Sequence, residues 1–186
     1  METTKTQTNK VAGRAEAPQG MGMNQRNRGA RSRRDRDERP RSEFDQKTLQ
    51  VRRVTRVTSG GKRFNISIVL AIGNHRGSVG IGTGKGLDTA LALDKALKSA
   101  KKNLLLIPVT KTMSIPHRVE SKYGSAEVLI MPAPRRGNIA GSAMRSIFNL
   151  AGLKDINSKI LSGSKNKLNI ARATIEALRK LKPVKK

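Results

Sequence analysis

The sequence predicts an α+β protein in which a β-β-β-α unit is followed by a β-α-β-α unit. Three observations carry that expectation. Phe64, Ile66, Ile68, Leu70 and Ile72 recur at every second position, the period of a strand. Two later stretches, 88–104 and 166–181, space their apolar residues by three and four, as one face of a helix requires. Glycine-, asparagine- and proline-containing breaks separate these stretches and set their limits.

Residues 1–43 read as a disordered arm. Val11 is their only aliphatic residue beyond Ala and Met, so they bury too little apolar surface to offset the entropy of ordering. After them, Leu49, Val51, Val54 and Val57 suggest a strand whose alternation slips between Val51 and Val54, where a bulge is expected. Ser59-Gly60-Gly61-Lys62 signals a tight turn into the second strand. Gly73-Asn74-His75-Arg76-Gly77 makes the next turn. The third strand, Ser78 to Gly84, puts Val79 and Ile81 on one face and Gly80, Gly82 and Gly84 on the other. Asp88 is a suitable helix N-cap, and the helix should reach about Asn103 with Ala90, Leu93, Leu97, Ala100 and Leu104 as its buried stripe. The first folded unit is thus 44–107.

A connection containing Pro and Ser leads to the second unit, 115–182. Glu127 to Met131 reads as a buried strand ended by Pro132. A helix is expected near Ile139–Ala151, with Gly152 as its left-handed terminator. A short strand follows at Ile156–Leu161. Asn166 then opens a last helix with Leu168, Ala171, Ile175, Leu178 and Leu181 inward and Pro183 as its stop. Each unit is small, so packing against a partner is expected to complete its stability.

Charge decides the class of partner. The chain holds 39 Lys+Arg against 13 Asp+Glu, a formal +26. Such a chain repels itself unless a polyanion neutralises it. The arm has 11 basic and 6 acidic residues, which leaves 28 basic and 7 acidic residues, or +21, on the folded part. Nucleic acid fits, because each phosphate contact releases counterions. A membrane does not, for no apolar run approaches about 18 residues. Nor does any basic amphipathic stretch carry bulky aromatics. The absence of Cys excludes disulfides and thiolate–zinc sites. His75 and His117 have no acid beside them in the sequence and read as surface histidines, so no metal or cofactor is expected. No nucleophile–base–acid set stands out, so no catalytic residue and no enzyme activity is expected. The first residues lack the apolar run of a secretory signal and include acids that a transit peptide avoids; a reducing, cytoplasmic compartment is expected.

The motifs point the same way. Gly80-Ile81-Gly82-Thr83-Gly84-Lys85-Gly86 is not a phosphate-binding loop, because Val79 stands at its first glycine position and Gly86 replaces the Ser or Thr after Lys85. Three missing side chains let another backbone approach, either a neighbouring helix or a sugar-phosphate strand, and Lys85 favours the second. Arg52, Arg53 and Arg56 lead into Ser59, Gly60, Gly61, Lys62 and Arg63, a basic hairpin shaped to enter an RNA groove. Arg76 lies in the next turn. Lys95, Lys98 and Lys102 share a helix face, which Lys101 reinforces, and Arg135-Arg136 occupies the loop before the second helix. Phe64 and Phe148 fall at core-phase positions, and the chain has only three Phe and one Tyr. Base stacking is therefore not expected, and recognition should rest on backbone charge and shape.

Val57-Thr58-Ser59-Gly60-Gly61-Lys62-Arg63-Phe64 and Gly77-Ser78-Val79 through Gly86 resemble the N-terminal half of the bacterial small-subunit ribosomal protein of the S-five family. Ile139-Ala140-Gly141-Ser142-Ala143-Met144-Arg145, Ala151-Gly152-Leu153-Lys154-Asp155, Gly163-Ser164 and Asn169 to Ile175 are similar to its second half. The resemblance covers about 44–181. It implies a first domain like a double-stranded-RNA-binding fold and a second with a left-handed β-α-β crossover. It also implies a structural, rRNA-binding role in the small ribosomal subunit, steadying head against body, near the point where mRNA enters. Neighbours would be proteins of the S-four and S-eight families. By motif position, Ser59–Lys62 matches the loop linked to spectinomycin resistance. Gly137, Asn138 and Arg145 match a surface linked to translational accuracy. Two departures stand out: Ser59 replaces a frequent Lys, and the Pro134–Asn138 loop lacks the usual Gly-Thr-Gly and is one residue shorter. The arm lies outside the resemblance and is expected to add electrostatic anchoring. A free-standing RNA chaperone and an RNA-processing protein subunit are the rival readings.

Overall fold

The computed structural model describes residues 43–182, so residues 1–42 of the expected arm and the stop at Pro183 lie outside the described residues. The described chain runs β1 Asp45–Thr58, β2 Gly61–Gly73, β3 Ser78–Gly86, α1 Thr89–Lys102 and β4 Leu104–Leu106. It continues through β5 Val119–Tyr123, β6 Ala126–Pro132, α2 Ser142–Ala151, β7 Ile156–Ile160 and α3 Lys167–Arg179. One antiparallel sheet has the order β1-β2-β3-β4 and the other β5-β6-β7. The α+β class is as predicted, with two additional short strands. β4 is three leucines that continue the apolar spacing of the preceding helix, so periodicity alone assigned its first residue to that helix. β5 hid because its inward position Ser121 is polar, although buried.

The bulge in β1 lies between Thr48 and Gln50, not after Val51 as the alternation suggested. The extra residue, Leu49, is turned into the core with Val69 and Ala71, while Val51 stays exposed. β2 is buried on both faces from Ile68 onward. On one side Leu70 and Ile72 pack with Ala96 and Ala100 of α1. On the other, Val69 and Ala71 join Met144, Ile147 and Phe148 of α2 and Ala171 and Leu178 of α3. The two small units therefore complete one another's core.

The bare face of β3 belongs to a helix, which overturns the leaning towards RNA. A methyl group placed on Gly82 would lie 2.0 Å from the Ala96 carbonyl oxygen, and one on Gly84 2.1 Å from that of Ala92. Alanines thus meet glycines, and the buried residues of α1 are Ala92, Ala96 and Ala100. The expected stripe is corrected accordingly: Ala90 and Leu104 are exposed, and Leu93 and Leu97 half-buried. Asp88 caps the helix as predicted, its carboxylate accepting from Thr89 N at 2.6 Å.

In the second half, α2 starts at Ser142 because Ile139 forms an isolated parallel bridge with Asn157 of β7. The β-α-β step that the resemblance implies runs from that bridge through α2 to β7, while β6 and β7 themselves are antiparallel. Gly152 ends α2 at φ 73°. The seam between halves is a backbone contact: His75 N donates to Leu150 O at 2.9 Å and Gly77 N to Ala151 O at 2.8 Å. Asn166 caps α3, its side chain accepting from Leu168 N. No helix among the described residues is long and apolar enough to cross a membrane.

Candidate nucleic-acid interface

Beyond the shared core, β1 and β2 continue as a two-stranded hairpin. From Arg52 to Phe64 every residue is exposed except Val54 and Thr58, which are half-buried. Ladder hydrogen bonds hold this extension in register, with Arg56 opposite Arg63, Val57 opposite Lys62 and Thr58 opposite Gly61. Thr58 Oγ1 donates to Gly61 O at 3.0 Å and closes the turn. Around Gly60 and Gly61 nothing lies within 4 Å of where a side chain would begin.

Pairing register sorts the cations by face, since directly opposed residues and next-but-one residues share a side. Arg52, Arg56 and Arg63 lie together on one side, with Ser67 opposite Arg52 and Lys85 opposite Ser67. Two inter-strand spacings put Lys85 roughly 10 Å from Arg52 across the sheet. Arg53 and Lys62 point to the other side, beside Val57 and Phe64. Gln50 helps to position the first arginine: its amide oxygen, in the orientation that satisfies both partners, accepts from Arg52 Nε at 2.7 Å and Nη2 at 2.9 Å. The start of α3 reaches the same side, because Asn166 and Leu168 line a shallow recess with Gln50, Arg52 and Ser67.

The remaining candidates fall into separate places. Lys95, Lys98, Lys101 and Lys102 are exposed on α1, which covers the Phe64 side of the sheet. Lys101 and Lys102 occupy its last turn, where a cation meets the negative end of the helix dipole. Arg76 sits in the turn at the far end of β2, roughly 40 Å from the hairpin tip at 3.3 Å per residue. Arg135 and Arg136 are exposed in the loop before α2, with Arg135 at φ 64°. Asp155 braces that loop: its carboxylate accepts from Gly137 N at 3.0 Å and its carbonyl from Ala133 N at 2.9 Å. Asn138 turns inward and donates through Nδ2 to Leu153 O at 2.6 Å, whereas Arg145 is exposed on α2.

Among the described residues, the only acid–base pairs within 4.0 Å are His75–Asp45 and Arg118–Glu120. Every candidate cation is therefore without a carboxylate partner among the described residues. Asp45 reaches His75 because β1 pairing sets it opposite Gly73, a proximity invisible in the sequence. No group of three or more His, Asp and Glu able to hold a metal occurs among the described residues.

Sequence reasoning missed three features. Asn166 and Leu168, at the start of α3, line one recess with Arg52, a neighbourhood made only by the tertiary fold. Asp155 gave no sign of its bracing role, because its partners lie 18 and 22 residues earlier. Phe64 was assigned to the core by its phase but is 48% exposed, with the Arg53 guanidinium 5.0 Å from its ring centre. Alternation says which residues share a face, not where along a strand the cover ends.

Fold and surface together define a two-part α+β RNA-binding protein, its cations displayed on a projecting hairpin and on separate patches. Residues 44–108 match the family model described as ribosomal protein S5, N-terminal domain, and residues 121–186 match ribosomal protein S5, C-terminal domain. The chain is 46% identical over 142 residues to the small ribosomal subunit protein uS5c of Rhodomonas salina, covering 76% of this chain and 84% of that one. It is 45% identical over 142 residues to uS5 of Synechococcus elongatus, covering 76% and 78%. To uS5 of Mesomycoplasma hyopneumoniae it is 38% identical over 150 residues, covering 80% and 69%. The chain belongs to the ribosomal protein S5 family: it is a structural constituent of the small ribosomal subunit, partnered by rRNA and other ribosomal proteins, and not an enzyme.

Proposed function

We propose that this chain grips rRNA chiefly with the β1–β2 hairpin and so steadies the head of the small subunit against its body. One observation carries the reading: a hairpin exposed on both faces holds five exposed cations, Arg52, Arg53, Arg56, Lys62 and Arg63, none with a carboxylate partner among the described residues. Phosphates are the natural counter-charge, and each one engaged adds the entropy of released counterions. A stiff ladder presents these groups without the ordering cost that a loop would bear. Lys85, Arg76 and the α1 lysines serve as further backbone contacts in this reading, at separate points on the RNA. The Ser59–Lys62 tip is its spectinomycin-linked loop.

The finer assignments rest on motif position. Gly137, Asn138 and Arg145 form the surface through which the chain influences translational accuracy, against a neighbour of the S-four family. A member of the S-eight family is the second neighbour, the place where mRNA enters lies close by, and the cytoplasm is the compartment. Residues 44–107 and 115–182 act as its two domains. The decisive experiment is sedimentation of the tagged chain through a high-salt sucrose gradient. It is expected to travel with small subunits, and recovery only in the soluble fraction would overturn the reading.

A further inference from the structure

The hairpin has two chemically different sides. One bears Arg52, Arg56 and Arg63 and suits phosphates. The other bears Phe64 at 48% exposure and Val57 at 71%, with Arg53 over the aromatic ring. An aromatic ring left half in water on a projecting ribbon loses burial that the core would have supplied. Here it also holds a guanidinium 5.0 Å from its centroid, within cation–π range. The ladder fixes both groups: Phe64 stands opposite Thr55, two pairs closer to the tip than Arg53 and Ile66 and on the same face.

We propose that the Phe64–Arg53 pair is a stacking site for one unpaired RNA base. The inference rests on the hairpin being an RNA grip and adds what that grip reads. Aromatic rings and guanidinium planes are the two surfaces on which proteins stack splayed-out bases. Both occur here side by side, with Val57 extending the apolar floor and Lys62 beside it to meet the flanking phosphate. A wholly paired helix offers no free base face, so this side distinguishes an unpaired nucleotide from plain duplex. The arginine side makes no such distinction. An apolar protein surface would also cover Phe64 and Val57. It would leave the Arg53 charge unanswered, whereas an adjacent phosphate answers it.

The test uses the full chain and three RNAs: a duplex of about 20 base pairs, longer than a ~16-base-pair double-stranded-RNA footprint; the same duplex with one bulged adenosine; and the same bulge lacking its base. The protein is expected to bind the bulged adenosine roughly tenfold more tightly than the abasic bulge, within the 5- to 150-fold that one stacked base supplies. Phe64→Leu should erase that ratio and leave duplex binding within about twofold, while Phe64→Tyr should keep it. Equal binding of the two bulges by the unaltered chain, or a ratio that survives Phe64→Leu, overturns the proposal. Loss of Phe64→Leu from reconstituted subunits with all three RNA affinities unchanged would overturn it in favour of a protein contact. Arg52→Ala, Arg56→Ala and Arg63→Ala combined separate the two readings. If duplex affinity is unmoved, the phosphate grip fails, yet the adenosine-to-abasic ratio still reports on Phe64.

Discussion

Two glycine-rich stretches, each beside a lysine and each in or next to a strand, do opposite things in this molecule. At the hairpin tip, Gly60 and Gly61 face open space, with no atom within 4 Å of a would-be side chain. In β3, Gly80, Gly82, Gly84 and Gly86 are pressed against α1, where a methyl group would meet backbone atoms at 2.0 to 2.9 Å. The first pair leaves a surface bare, which the proposed rRNA grip would use. The second set removes four side chains so that a helix can come close, and its function is to hold the scaffold. Glycine composition thus marks a close approach without saying whose backbone approaches.

The sharpest way to break this contrast is to fill the packed stretch. Gly82→Val should destabilise the protein by about 3 kcal/mol or more, because the intruding atoms meet the Ala96 carbonyl and neither backbone can yield. Thermal unfolding followed by circular dichroism should show the midpoint fall by roughly 10 °C for a chain of this size. A fall of a degree or less would mean that α1 is not seated on the glycine face. Next comes the seam between halves. Gly152→Ala combines a left-handed φ of 73° with a clash at 2.1 Å from His75 O, and about 2–3 kcal/mol is expected in urea unfolding. Both halves should lose structure in one transition, because they share a core; two separate transitions would refute that sharing.

Much of this scaffold could be read in advance, and the reasons for the exceptions are physical. The β2 alternation, the Asp88 and Asn166 caps and the Gly152 terminator are local devices, so a single stretch of sequence suffices to see them. Leu49, Phe64 and the β3 glycines depend on what sits opposite. Whether Leu49 or Val51 turns inward follows from the bulge position, which sets Leu49 among core residues of the second half. Phe64 obeys the same period as Leu70 but lies beyond the reach of α1. The cations of the candidate site were legible as a list. Their division between the two sides of the hairpin was not, because that requires the ladder register. Asn166 and Leu168 needed α3 to be placed before they could be set beside Arg52.

The remaining predictions probe the open stretch. Gly61→Ala meets no atom but must adopt φ 131°, which a side chain disfavours, so about 1–2 kcal/mol should be lost from the turn. Amide exchange should report that loss at the hairpin tip while the core amides keep their protection. Faster exchange throughout the core would mean that the tip and the body unfold together.

Gly60→Asp is the smallest stability change of the set and the most informative about purpose. Gly60 is exposed, has no atom within 4 Å of its added side chain, and is free of the positive φ that constrains Gly61. Unfolding should therefore shift by less than about 0.5 kcal/mol. Near-neutral stability leaves the new charge as the only perturbation. It sits on a tip whose neighbours Lys62 and Arg63 have no acidic partner among the described residues, so an approaching phosphate meets a new anion there. For a tip surrounded by water that repulsion is about 1 kcal/mol at roughly 4 Å, or roughly fivefold in affinity for duplex RNA, and raising the salt should shrink it. In cells the same variant should slow small-subunit assembly or alter the response to spectinomycin. A variant that folds normally, binds RNA normally and grows with an unchanged subunit profile would show that the bare tip meets solvent rather than rRNA. The contrast between the two glycine stretches would then be one of packing against mere exposure.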